Sequence, residues 1–239
     1  MNKETIRCAA LSDLHGYLPD NIQECDLVLI PGDIVPLNIQ RNFDKSLEWF
    51  KNTFIPWCMN LPCDKVVFCP GNHDFFLEKF SESEITRLIW ELNAHMKVVC
   101  LHDSIVHLWV KDNNVKIYGT GWCIGLSNWA FYTPDESEYS NIPECDILIT
   151  HQPPMLGSIG MVHQQGWNYM RSFCSYKLAE AMVDKGIKWA LCGHVHSGNH
   201  VPEKIQDIWI NNVSLLDEDY KVNYDIFYFE LNLKNEDNV

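Results

Sequence analysis

Short polar clusters follow apolar runs at five places in this 239-residue chain, and their side chains are carboxylates, imidazoles and an amide. They are Asp13-Leu14-His15, Gly32-Asp33, Gly71-Asn72-His73-Asp74, His151 and Gly193-His194-Val195-His196. The runs before them, Ile6–Leu11, Leu27–Ile30, Val66–Cys69, Ile147–Ile149 and Trp189–Cys192, read as buried strands. Strand ends are stiff supports, and open α/β sheets place their sites there. Asp13/His15 and His194/His196 have i, i+2 spacing. In extended backbone that spacing points both side chains to one side, so each pair reads as two ligands for one metal. Glycine precedes Asp33, Asn72 and His194, allowing sharp turns and close backbone approach. A donor set of carboxylate, imidazole and amide oxygen, without thiolate, suits Mn²⁺, Fe²⁺ or Zn²⁺ and disfavours copper(I) or iron–sulfur centres.

The elements that must position these residues are legible between them. Asn42–Thr53 spaces Phe43, Leu47, Phe50 and Phe54 as an amphipathic helix. Ser81-Glu82-Ser83-Glu84 is a capping box that opens a helix through Ile85, Leu88, Ile89 and Leu92. Tyr176–Lys185 reads as a helix stopped by Gly186. Strands are expected at Asp207–Asn211 and Asp225–Leu233, followed by a fraying polar tail, Asn235–Val239. A weak repeat relates Ile22-Gln23-Glu24-Cys25-Asp26-Leu27-Val28-Leu29-Ile30 to Ile142-Pro143-Glu144-Cys145-Asp146-Ile147-Leu148-Ile149-Thr150. Each copy is an acidic lead-in and a buried strand, with Asp33 or His151 just past its end, as two related halves facing one site would be. No linker divides the chain, so residues 1–239 read as one domain, and helices interspersed with strands imply an α/β sandwich.

Composition excludes several classes. A 46% hydrophobic content with 21% charged residues describes a folded globular protein rather than a disordered one. No apolar run approaches the ~20 residues of a membrane helix, and no hydrophobic signal segment opens the sequence, so a cytoplasmic location is expected. The ten cysteines include no CxxC pair, and Cys8, Cys25, Cys69, Cys145 and Cys192 lie in or beside buried strands. Reduced, structural cysteine is expected, with Cys58 and Cys63 close enough in sequence to approach each other. A formal net charge of −14 repels polyphosphate backbones, so long nucleic acids are not expected as partners. A small phosphate ester remains compatible, because metal cations dominate their local field.

The clusters in this order resemble the calcineurin-like metallophosphoesterase superfamily from about Ile6 to Glu230. A narrower resemblance, to the small single-domain phosphodiesterase branch that includes the brain-type MPPED proteins, rests on Tyr118-Gly119-Thr120-Gly121-Trp122 leading to Trp129-Ala130-Phe131, on Thr150-His151-Gln152-Pro153-Pro154, and on Leu191–Gly198. The resemblance implies a four-layer α/β/β/α sandwich of two mixed sheets flanked by helices. It assigns one divalent metal to Asp13, His15 and His196 and another to Asn72, His151 and His194, with Asp33 bridging. Mn²⁺ is the first expectation, with Fe²⁺, Zn²⁺ or Ni²⁺ as alternatives. It further implies in-line attack of a metal-bridging hydroxide on a small phosphodiester, cyclic nucleotide-like or a nucleotide diester. Asn72 and His73 would contact the phosphate, His73 would protonate the leaving oxygen, and Asp74 would hold the His73 imidazole.

Other readings compete. A protein phosphatase continues Gly-Asp into an arginine-bearing segment, whereas Gly32-Asp33 here continues Ile34-Val35-Pro36-Leu37, and Asp74 stands where that family has Glu. Monoester protein substrates are disfavoured on that ground, and a phosphomonoesterase or protein phosphatase stays as the alternative function. A DNA-repair nuclease would need a basic surface, and a non-catalytic binding module would have lost ligands. His95, His102 and His107 are assigned no role, and His163 and His200 lie on loops near the motifs. Trp122, Trp129, Phe131 and Tyr132 suit either a base-stacking mouth or the core of an irregular loop. Asp217-Glu218-Asp219 reads as a solvated turn.

Overall fold

A computed structural model describes residues 5–163 and 170–233. In chain order its elements are β1 (Ile6–Ala10), β2 (Leu27–Pro31), α1 (Phe43–Trp49), α2 (Ile55–Asn60), β3 (Lys65–Cys69), α3 (Glu82–Glu91), β4 (Val98–Cys100), β5 (Ser104–Val110), β6 (Asn113–Thr120), β7 (Ile147–Thr150), β8 (Met161–His163), β9 (Met170–Ser172), α4 (Tyr176–Asp184), β10 (Trp189–Cys192), β11 (Glu203–Ile205), β12 (Ile208–Asn212) and β13 (Phe227–Leu231). One sheet runs β13-β1-β2-β3-β4, with β1 to β4 parallel and β13 antiparallel. The second runs β11-β12-β10-β7-β6-β5, with a parallel centre and antiparallel outer strands. β8 and β9 form a separate ribbon.

Strand alternation explains why the sheets stack. Leu27, Leu29, Val67 and Cys69 face Ile117, Ile147, Ile149 and Leu191 in a core between the sheets. The alternate residues Val28, Ile30, Val66 and Phe68 pack under Phe50, Phe54, Ile85 and Leu88 of the helical layer. Leu148, Ala190 and Cys192 pack on Leu178 and Met182 of α4. The central strands are therefore apolar on both faces, which is why they read as continuous runs. The result is the two-sheet α/β sandwich implied by the motifs. Phe50→Ala would cost about 3–5 kcal/mol, as for a large aromatic removed from a filled core.

Several elements differ from the sequence expectation. The helix expected over Asn42–Thr53 continues to Asn60 through a π turn at Phe50–Phe54. Pro56 has no N–H and would clash with a carbonyl one α-turn back, and the wider turn just before it relieves that conflict. Phe43 is 41% exposed, and the buried position in α1 belongs to Ser46, whose hydroxyl donates to the Ile39 carbonyl. The capping box is present, with Ser81 N–H donating to Glu84 Oε2 at 2.8 Å. The last two strands are shifted to Ile208–Asn212 and Phe227–Leu231, and residues 235–239 lie outside those described. The β5–β6 hairpin has no counterpart among the elements expected from sequence. All ten cysteines are free thiols, Cys58 and Cys63 included. Among the described residues no helix is long and apolar enough to cross a membrane.

Candidate metal centre

The residues beyond the strand ends are not extended, which corrects the geometry expected from i, i+2 spacing. β1 stops at Ala10 and β10 at Cys192. Asp13, His15, Asp33 and His194 then take left-handed backbone, with φ of 53°, 43°, 55° and 71°. Such conformations cost about 1–3 kcal/mol each in a non-glycine residue and persist where surrounding bonds hold them. Here the loops after β1 and β2 are tied together by Asp13 N–H to Gly32 O at 3.2 Å, His15 N–H to Asp33 O at 2.9 Å and Gly16 N–H to Ile34 O at 3.0 Å. Asp13 and His15 still converge, joined by His196, whereas His194 turns into a different group with His151. The His194/His196 pair therefore does not share one side.

Four overlapping sets of donor atoms lie within 4.8 Å of one another: Asp13/His15/His196, His15/Asp33/His73, Asp13/Asp33/His151 and Cys123/His151/His194. Asp13, His15, Asp33 and His151 each belong to two of them. Asp33 Oδ2 is 3.2 Å from His151 Nε2, 3.7 Å from His15 Nε2 and 3.8 Å from His73 Nε2. Its Oδ1 accepts the His73 backbone N–H at 2.8 Å. Asn72 Oδ1 faces His194 Nδ1 at 2.9 Å and His151 Nε2 at 3.0 Å. Asp13 Oδ1 is 3.2 Å from His196 Nε2, while its carboxylate accepts the His194 N–H and, at 2.7 Å, the Ser214 hydroxyl. The backbone must come close to both carboxylates. A Cβ on Gly71 would lie 2.2 Å from Asp33 Oδ1, and one on Gly193 would lie 2.2 Å from Asp13 Oδ2.

Backbone carbonyls set the ring orientations. His151 Nδ1 is 2.8 Å from Pro31 O, and His196 Nδ1 is 2.8 Å from Asp217 O. A carbonyl can only accept, so in each ring Nδ1 carries the proton and Nε2 points inward. Both ring nitrogens of His15 are buried without a hydrogen-bond partner. A buried orphan of that kind costs about 1–3 kcal/mol, and a cation ligand would remove the cost. Burial alone would raise the Asp33 carboxyl, but His151, His73 and His15 override it and hold it well below the usual range. Burial would likewise lower His151, yet Asp33 raises it to about 9, and Asp13 raises His196 to about 9 against the same penalty. His15 falls to about 4 and His194 to about 3, in each case first because burial disfavours the cation. Carboxylates held ionised among imidazoles whose ring nitrogens turn inward fit divalent cations, which would displace the protons those nitrogens carry.

Among the described residues the Asp74 carboxylate bonds backbone groups rather than the His73 ring. Its Oδ1 accepts the Ile34 and Val35 N–H groups at 3.0 Å, and its Oδ2 accepts Gly71 N–H at 2.8 Å. Burial and nearby Asp33 push its carboxyl up to about 7 against those donors. The partner of His73 Nδ1 is Gln40 Oε1 at 2.5 Å, a loop residue that no motif marks. Asp217 and Glu218 are also more than a solvated turn. Asp217 O holds His196, Glu218 Oε1 accepts from the Ser197 N–H and hydroxyl, and Tyr220 lays its ring 4.9 Å from His15. Of the aromatic quartet only Trp129 reaches the cluster, 4.4 Å from the His73 ring. Phe131 is buried, and Trp122 donates its N–H to Asp103. Cys123 is a donor that the motifs miss, because its neighbours are distant in sequence. His200 stacks on Tyr224 and contacts His196 O, His95 stacks on Trp90, His102 accepts Gly121 N–H, and His107 is exposed. The His163 side chain lies outside those described.

A family model described as calcineurin-like phosphoesterase matches residues 6–198. A UPF0046 protein of Caenorhabditis elegans is 27% identical over an alignment of 225 residues, with 81% of this chain and 52% of that protein covered. The chain thus spans about half the length of that curated relative. TT1561 of Thermus thermophilus superposes with a TM-score of 0.55 at 14% identity, covering 87% of this chain and 89% of the other. The phosphopantetheinyl hydrolase of Mycobacterium tuberculosis gives 0.52 at 14% identity, covering 87% and 88%. At that identity these structures share the fold.

Proposed function

The chain belongs to the calcineurin-like phosphoesterase family, and we propose that it is a metal-dependent phosphodiesterase acting on small diesters, with His73 protonating the departing oxygen. Membership suggests a metal-dependent hydrolase, and the rest is the reading that the site supports best. Asp13, His15 and His196 would hold one divalent cation and Asn72, His151 and His194 a second, with Asp33 shared. Mn²⁺ is the first choice for this oxygen and nitrogen donor set. Bound cations would supply Lewis-acid polarisation of the phosphoryl oxygens and of the attacking water.

The protein's own contribution is positioning and proton transfer. Gln40 Oε1 can only accept, so it takes the Nδ1 proton of His73 and leaves Nε2 facing the cluster. From there a protonated Nε2 would give its proton to the oxygen that leaves phosphorus. Asn72 and His73 would contact the phosphoryl group. Asp74 would act at one remove, holding the Gly71–Val35 backbone that carries Asn72 and Asp33.

One observation carries the preference for diesters. Rings run in a row across the site: Trp129 lies 4.4 Å from His73, His73 4.7 Å from His15, and His15 4.9 Å from Tyr220. A phosphorus centred over His73 and His15 would have an aromatic surface on either flank, which suits an ester with two organic substituents. A monoester has one and carries a second negative charge, and the stretch Asp33-Ile34-Val35 supplies no cation for it. The test strips the protein of metal, reloads it with Mn²⁺, and compares methyl p-nitrophenyl phosphate, a cyclic nucleotide, p-nitrophenyl phosphate and a phosphoserine peptide. Diesters should show the higher kcat/KM. Equal or faster turnover of the phosphopeptide would refute the ranking in favour of a phosphomonoesterase.

A further inference from the structure

A recess of about 160 Å³ opens beside this row, bounded by Gln40, Arg41, Phe43, Phe75, Phe76 and Lys79. It shares one residue with the surroundings of His73, and a second, Trp129, lies between the two. Gln40 both lines it and contacts His73 Nδ1, and Trp129 packs on His73 while lying 5.9 Å from Phe75. The Arg41 guanidinium carbon lies over the Phe75 ring, 4.2 Å from its centroid, and 5.1 Å from the Trp129 centroid, with one N–H given to Asn128 O at 3.2 Å. The ring contacts hold the guanidinium in place, and its remaining N–H donors can meet an anion. Arg41 has no carboxylate partner among the described residues. Among the described residues Lys79, the second cation of the recess, pairs only with exposed Glu78 at 3.8 Å, and Glu78 also accepts the Phe131 N–H. In a chain of net charge −14, two basic side chains on one recess beside the site make a local exception.

We propose that this recess is the leaving-group subsite and that it takes a single aromatic ring bearing a negative charge. The inference rests on the reading above, because His73 protonates the leaving oxygen only if it is the acid, and the recess then receives what departs. Size fits the class, since a cavity of about 150 Å³ holds one benzene ring. Phe75 and Phe76 supply the apolar wall for the ring, and Arg41 and Lys79 meet its carboxylate or phosphate. For methyl 3-carboxyphenyl phosphate, water oxygen would bond to phosphorus while the bond from phosphorus to the aryl oxygen breaks. The proton of His73 would go to that oxygen, and the products would be methyl phosphate and 3-hydroxybenzoate.

The experiment compares kcat/KM for methyl 3-carboxyphenyl, methyl phenyl and methyl 3-trimethylammoniophenyl phosphate with the Mn²⁺-loaded protein and its R41M/K79M variant. The carboxylate ester should be preferred over the neutral one about tenfold, the scale of one charge-assisted hydrogen bond at a partly exposed site, and the cationic ester should be the poorest. In the variant the three esters should converge. A preference that is absent in the native protein, or that survives in the variant, overturns the proposal. So does an R41M/K79M loss that is greatest for p-nitrophenyl phosphate, since Arg41 would then bind the reacting phosphoryl group. Calorimetric titration of 3-hydroxybenzoate and phenol into metal-free protein reads the subsite without turnover. Selective binding of 3-hydroxybenzoate, lost in R41M/K79M, supports the subsite even if no diester is cleaved, in which case the phosphodiesterase reading alone fails. Equal binding of the two phenols overturns it.

Discussion

Ile22–Ile30 and Ile142–Thr150 build the same local structure in the two sheets, yet deliver different chemistry at the site. In the first, Asp26 N–H donates to Arg7 O at 2.8 Å and Asp26 Oδ2 accepts Arg7 N–H at 2.7 Å, aligning β2 with β1. In the second, Asp146 N–H donates to Lys116 O at 2.9 Å and Asp146 Oδ2 accepts Lys116 N–H at 2.9 Å, aligning β7 with β6. Cys25 and Cys145 are buried at matching places. The copies part company beyond the strands. His151 follows Thr150 directly, whereas the first copy adds Gly32 and Asp33 with φ of 90° and 55°. That left-handed turn carries the Asp33 carboxylate among the imidazoles. His151 reaches it at 3.2 Å from the other sheet and returns its Nδ1–H to Pro31 O at the end of β2. The scaffold is thus common to both halves, and a two-residue turn decides that one half brings a carboxylate into the donor cluster and the other an imidazole.

Exchanging those two ends gives the largest expected effect. Asp33→Asn should bring metal content from about two ions per chain to below one and reduce turnover ~10⁴-fold or more, as when a whole catalytic unit is lost. His151→Ala should remove a single ion. Equal metal loss in both variants would break the asymmetry between the halves. His73, whose backbone N–H is held by Asp33, comes next. His73→Ala should keep its metal and lose ~10²–10⁴-fold in rate, less for p-nitrophenolate, which needs little protonation. Gln40→Met should show a milder version, about tenfold, with metal content intact. Asp74→Asn should instead lower thermal stability by about 1–3 kcal/mol, because its oxygens hold backbone N–H groups. A rate defect without a stability loss would return Asp74 to the role of orienting His73.

Protonation sharpens the comparison. The His151 and His196 pKa values are raised to about 9 above an ordinary 6.5, so the stability they lend the metal-free protein is complete below 6.5 and lost as pH rises through 9. Metal must displace those protons, so affinity should rise with pH over the same window. Near pH 7.5 loading should release about two protons per chain, readable by calorimetry in buffers of different ionisation enthalpy. In Asp33→Asn the contribution of His151 should vanish while that of His196 remains. The smallest effects lie in the lead-ins. Asp26→Ala should cost more stability than Asp146→Ala, roughly 1–3 against 0.5–1.5 kcal/mol, because Asp26 is more deeply buried and also meets Lys111 at 2.9 Å. Thermal melts of the two variants give the ranking directly.

The residue types at the site are readable because metal donors beside glycine at strand ends are rare in combination, and both sheets' central strands are readable because burial on two faces leaves an unbroken apolar run. The angles are not. Left-handed φ at Asp13, His15 and His194 comes from hydrogen bonds between loops, which i, i+2 spacing does not encode. The partner of His73 escapes the sequence for a similar reason. Asp74 is adjacent in sequence but its oxygens are taken by Ile34, Val35 and Gly71, while Gln40 arrives from a loop 33 residues upstream. Asp217-Glu218-Asp219 reads as a solvated turn because the stretch is acidic, and only the chain path over His15 and His196 gives Asp217 and the following Tyr220 a role.

The central claim is that the Asp33 carboxylate joins two sets of three ligands into one dinuclear centre. Titration of metal-stripped protein with Mn²⁺, followed by low-temperature electron paramagnetic resonance, tests it most directly. The second equivalent should convert the isolated-ion spectrum into that of an exchange-coupled pair, and Asp33→Asn should give isolated ions at every ratio. Saturation at one equivalent, or two ions bound without coupling in the native protein, would contradict it.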